Sequence, residues 1–82
     1  MKRSDVSTFD VLHACFIRDR EVMPWQRIAA STGAPEKVVY AAMRREERRG
    51  YLEYGVSLRT AWLTDAGKGK LFDLLPEANP CA

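Results

Sequence analysis

The stretch from Pro24 to Gly50 is punctuated more tightly than any other part of the chain, and this punctuation limits what the chain can fold into. Proline suits the first turn of a helix, where its missing N–H would be unpaired anyway, and the residue before it avoids helical geometry. Glycine stops helices because it adopts the left-handed conformation without steric cost. Pro24 to Gly33 and Pro35 to Gly50 therefore predict two helices, over about 24–32 and 35–49, joined by a tight turn. Trp25, Ile28, Ala29 and Thr32 fall on one face of the first. Val39, Ala42 and Met43, flanked by Val38, form the inward stripe of the second. Glu36 sits near the positive end of that helix dipole, and Arg48 and Arg49 near the negative end.

Before this pair, Ser7 and Asp10 form an S-x-x-D cap for a helix over about 8–19, whose apolar residues are Phe9, Val11, Leu12, Cys15 and Phe16. Arg18 to Glu21 is a polar exit, and Val22-Met23 is a short extended piece. After Gly50 the period changes from helical to alternating. Tyr51 to Tyr54 and Leu58 to Leu63, around a turn at Gly55 to Ser57, predict a β-hairpin. Leu52 shares a face with Tyr54, Ala61 shares one with Leu63, and Trp62 points the other way. Thr64 caps a last helix over about 65–75 with Leu71, Phe72, Leu74 and Leu75 on its apolar side, while Gly67 and Gly69 weaken its first turns. The expected fold class is mainly α with a β-hairpin. Residues 7–75 form one domain, and 1–6 and 76–82 are flexible termini.

Composition narrows the function. With 82 residues there is one domain and no large cleft, and 46% apolar residues suffice for a small core. No apolar run approaches the ~18 residues of a membrane span, and no signal peptide is visible after Met1-Lys2-Arg3, so a cytoplasmic protein without a membrane partner is expected. Cys15 reads as a small core residue and Cys81 as a free surface thiol. Two isolated cysteines and one histidine supply no zinc site. His13 lies in an apolar helix and reads as an interior or boundary histidine, with no second base or nucleophile beside it. There is no phosphate-binding glycine loop and no catalytic carboxylate pair. Neither an enzyme nor a cofactor is expected.

Helix, extended piece, helix, turn, helix, hairpin and helix is the order of a winged helix-turn-helix. The segment Trp25-Gln26-Arg27-Ile28-Ala29-Ala30-Ser31-Thr32-Gly33 resembles the first helix of such a unit. Val39 to Met43 and Arg49-Gly50-Tyr51-Leu52-Glu53 are similar to its recognition helix and first wing strand. Trp62-Leu63-Thr64-Asp65-Ala66-Gly67-Lys68 resembles the stretch that closes the wing in MarR-like bacterial regulators. The resemblance covers about residues 9–75 and implies a DNA-binding role. One residue departs from it. Four positions before Gly50, where the family has leucine, stands Glu46. A carboxylate in a closed core is costly unless paired. Either this helix is rotated, or Arg45, Arg49 or another basic residue reaches Glu46.

In a helix-turn-helix the second helix enters the major groove. The candidate DNA-binding residues on it are Glu36, Lys37, Tyr40, Ala41 and Arg44, opposite the apolar stripe, with Arg45 toward phosphate. Arg27, near Ser31 and Thr32, offers a backbone contact, and Ser57, Arg59 and Thr60 are the wing candidates. Arginine and lysine can reach guanine acceptors or phosphates, and glutamate can accept from cytosine. Trp25 is expected in the core. Trp62 either packs under the first helix or marks a dimer contact. Leu71, Phe72 and Leu75 are candidates for a homodimer interface with helix one, because that many apolar residues exceed one helical stripe. The expected function is a small DNA-binding transcriptional regulator, a repressor or accessory factor of phage, plasmid or compact bacterial type, with double-stranded DNA as partner. The alternative is a winged-helix module for protein–protein interaction. Six basic and four acidic residues in 35–60 leave a local excess of only two, where nucleic-acid binders usually carry more.

Overall fold

The computed structural model describes residues 2–17 and 21–75. The chain is mainly helical, with helices α1 (Thr8–Phe16), α2 (Pro24–Thr32), α3 (Glu36–Arg48) and α4 (Asp65–Leu74). Two short strands, β1 (Leu52–Glu53) and β2 (Trp62–Leu63), pair antiparallel with Leu52 opposite Leu63 and Glu53 opposite Trp62.

The punctuation acts as its chemistry requires. Gly33 ends α2 at φ 75° and Gly50 follows α3 at φ 86°. After α3 the N–H of Gly50 donates to Glu47 O and that of Tyr51 to Glu46 O, both at 3.0 Å. These two bonds make a Schellman stop, which satisfies carbonyls the helix leaves open. Ser7 Oγ accepts from the Asp10 N–H at 3.0 Å and opens α1. Thr64 joins three elements: its Oγ accepts from Gly67 N–H at 3.0 Å, and donates to Gly50 O at 2.6 Å. Its N–H donates to Tyr51 O at 3.0 Å. A Cβ on Gly67 would run into the Tyr51 carbonyl, whereas Gly69 faces open space. The glycine at 67 is thus required by a close approach, not by a turn.

The core is one cluster. Val11, Leu12, Ala14 and Cys15 of α1 meet Ile28 of α2, Val39, Ala42 and Met43 of α3, the strand residues Leu52 and Leu63, and Leu71 of α4. α1 touches every other helix and β2. Trp25 is half-buried against this cluster.

Several expectations need correction. The N-terminal boundary at residue 7 falls too late. Arg3–Asp5 form a 3₁₀ turn, Val6 is fully buried in the core, and the segment packs on α3. The return strand does not begin at Leu58: Leu58–Thr60 is a second 3₁₀ turn, packed on α2 and α3. Strand alternation would send Leu58 and Ala61 to opposite faces. The three-residue period of a 3₁₀ turn superposes them, and both are buried. Tyr54 is exposed rather than sharing the buried face of Leu52, and Phe16 is exposed rather than core. His13 is exposed and stacked on Phe9 at 5.2 Å between ring centroids, not interior. α1 ends at Phe16; the expected continuation over 18–19 lies outside the described residues, as do 76–82 and Cys81.

Candidate nucleic-acid interface

α3 carries two charged surfaces with different partners. Glu36, Lys37, Arg44 and Arg48 are exposed, and Tyr40 and Ala41 are half-buried among them. Residues three and four apart share a helix face, so Lys37, Ala41, Arg44 and Arg48 lie along one stripe, with Tyr40 beside it. Part of Tyr40 packs against the core. Lys37 and Arg44 stand on the outward face expected of them, while Tyr40 and Ala41 lie at its half-buried edge.

Arg45 does not join them. Its side chain is only 14% exposed and is bound on three sides. Its Nε donates to Glu46 Oε2 at 2.7 Å, Nη1 to Arg3 O at 2.8 Å and Nη2 to Val6 O at 2.7 Å. Held in this way by a buried carboxylate and two carbonyls, it is withdrawn from the phosphate contact expected of it. Glu46 itself is fully buried. Its Oε2 also accepts from Thr8 Oγ1 at 2.8 Å, and Arg49 Nη1 lies 3.4 Å from both carboxylate oxygens and 3.1 Å from Thr8 Oγ1. Of the two accommodations open to Glu46, pairing is the one adopted. The helix is not rotated, since Val39, Ala42 and Met43 remain inward.

The other candidates are dispersed. Arg27 is half-buried on α2. Thr32 Oγ1 donates to Ile28 O at 2.7 Å and accepts from the Ala34 N–H at 3.2 Å, while Ser31 Oγ donates to the same carbonyl at 3.2 Å. Thr32 therefore braces the turn between α2 and α3, while the Ser31 bond stays within α2. Ser57 is half-buried, and exposed Thr60 donates its hydroxyl to Ser57 O at 3.0 Å. Arg59 lies in the 3₁₀ turn, with its side chain outside the described residues. Because that turn folds back on α2 and α3, the hairpin loop projects less than a wing of two long strands would.

The expected dimer residues divide. Leu71 is buried in the core, so it is removed from the interface set: α4 turns it toward α1. Phe72 is 51% exposed and meets the exposed ring of Phe16 edge-on at 6.1 Å between centroids. Leu74 is exposed and Leu75 half-buried beside it. Burial pushes the Cys15 thiol up to about 12, which makes it a protonated core residue rather than a nucleophile.

Among the described residues no group of His, Cys, Asp and Glu side chains could hold a metal ion, and no helix is long and apolar enough to cross a membrane. One feature escaped the sequence. Glu47, Glu53, Tyr54 and Trp62 line a single groove beside the hairpin; cross-strand pairing of Glu53 with Trp62 was the available clue. Comparison with protein-family models, curated proteins and solved structures finds no match for this chain.

Proposed function

We propose that the chain is a winged helix-turn-helix regulator that binds duplex DNA through the outer face of α3 and acts by occupying its site. The observation that carries this reading is the exposed stripe of Lys37, Arg44 and Arg48, with Tyr40 and Ala41, on the second helix of a tight helix–glycine turn–helix unit. Lys37 lies in the first turn of α3, the part of a recognition helix that meets base edges, and the later arginines follow toward the backbone. Glu36 beside it would favour cytosine over phosphate contact. The short hairpin loop leaves most of the affinity to α3. Binding of a random-sequence duplex, followed by fluorescence anisotropy across a salt series, tests this. Affinity should fall steeply as salt rises, since phosphate neutralisation releases counterions. Absent binding at low salt, or binding indifferent to salt, would reject it.

A homodimer belongs to the same reading. One recognition helix covers few base pairs, and a two-fold pair reads two half-sites about one turn of duplex apart. The exposed rings of Phe16 and Phe72, with Leu74 and Leu75, provide an apolar patch built from α1 and α4, on elements that do not include α3. Sedimentation equilibrium should give twice the 9.3 kDa chain mass, and Phe72→Glu should give a folded monomer. A wild-type monomer at micromolar concentration would remove the dimer from the account.

A further inference from the structure

The groove beside the hairpin has the chemistry of a cation site, not of a DNA contact. Its volume is about 440 Å³, and it is lined by Glu47 from the last turn of α3, Leu52, Glu53, Tyr54 and Gly55 from β1 and the loop after it, and Trp62 from β2. Glu53 and Trp62 are direct cross-strand partners, so a carboxylate and an indole stand side by side on the outer face of the hairpin. Trp62 is 39% exposed and Tyr54 45% exposed. Among the described side chains neither Glu47 nor Glu53 has an ion-pair partner. Gly55 leaves the edge of the indole uncovered, since a Cβ there would come to 3.8 Å from Trp62 Cη2.

We propose that this groove binds an arginine side chain presented by a partner protein. A guanidinium is planar, stacks on aromatic faces and donates to two carboxylate oxygens at once, so one group can use rings and acids together. A lysine ammonium shares the charge but not the plane. Two carboxylates repel a phosphate backbone, so the groove faces a different class of partner from the outer stripe of α3. The inference goes beyond DNA binding and does not depend on it.

The test uses the full chain, labelled with ¹⁵N, and a blocked peptide of glycine and arginine. Its controls replace arginine by lysine or by uncharged citrulline. The arginine peptide should shift the Trp62 indole N–H and the amides of Glu53, Tyr54 and Gly55 saturably. Citrulline should bind about tenfold more weakly, the loss of one cation–π and charge contact. Glu47→Gln with Glu53→Gln should abolish the shifts, as should Gly55→Leu, which fills the groove from a position without positive φ. Amides of α1 and α2 in each variant report that the fold is intact. Shifts equal for arginine and citrulline, shifts spread over Asp65 and Asp73 instead, no shift at all, or the same resonances moving with duplex DNA would each overturn the proposal.

Discussion

Arg44 and Arg45 adjoin in the sequence, and α3 sends them to different environments. Arg44 stands in solvent on the outer stripe. Arg45 turns about 100° further around the helix, lies against the N-terminal segment and shares Glu46 with Thr8 and Arg49. Side chains of the same chemistry therefore serve separate ends: inner charges anchor residues 2–8 to α3, and outer charges remain available to a partner. Their number in this stretch conveys little, because Arg45 and Arg49 are engaged with Glu46. α4 repeats the contrast without charge. Gly67 faces a backbone carbonyl and Gly69 faces solvent.

The largest effects should come from separating the inner charges. Removing one member of a buried ion pair costs about 3–5 kcal/mol, since the other is left uncompensated. Glu46→Ala should lower stability by that order in urea denaturation, while Arg44→Ala should stay within about 0.5 kcal/mol of wild type, as an exposed substitution does. Arg45→Met combined with Glu46→Leu should cost well below the sum of the single changes, because the two residues share one network. Equal small losses for Glu46→Ala and Arg44→Ala would erase the distinction between the two faces.

The glycines sharpen the same contrast. Gly67→Ala overpacks a tight contact and should cost about 1–3 kcal/mol. Gly69→Ala gains helix propensity without a clash and should stabilise by about 0.5–1 kcal/mol. Thermal melts of the two variants should therefore move in opposite directions.

Alkaline titration gives a further, smaller measure of the interior. The Cys15 thiol is pushed from an ordinary 9.0 up to about 12 by burial. The unfolded chain therefore loses this proton more readily than the folded one. The contribution of the neutral thiol is complete below about pH 9 and is lost as pH rises from there toward 12. In a Cys81→Ser background, Cys15→Ala should flatten that decline, and thiol labelling of the unsubstituted Cys15 should be limited by unfolding rather than by reagent.

Much of this was legible in the residues. Prolines and glycines at 24, 33, 35 and 50 bounded α2 and α3, and Thr64 began α4, because these are local effects of backbone geometry. The resemblance marked Glu46 as a polar residue where the family has leucine, and left rotation of the helix and pairing with a basic residue both open; the structure adopts pairing. The Glu46 partner Thr8 lies 38 residues away, and no local pattern marks such a contact. Leu58 was misplaced because alternation was extended one turn too far. Burial of Leu58 together with Ala61 favours a 3₁₀ turn, and that demand comes from α2 and α3 rather than from the hairpin. On the outer face of α3, Lys37 and Arg44 were located by periodicity alone, which identifies a surface and not its partner.

The most direct measurement is salt-dependent duplex binding of the Lys37→Ala, Arg44→Ala double variant beside wild type, with urea unfolding of both. If the outer face of α3 binds DNA and the inner face holds the fold, the unfolding midpoints coincide. Affinity then falls, and the slope of log affinity against log salt drops by about one for each phosphate contact removed. Unchanged affinity and slope with an intact fold would contradict the account.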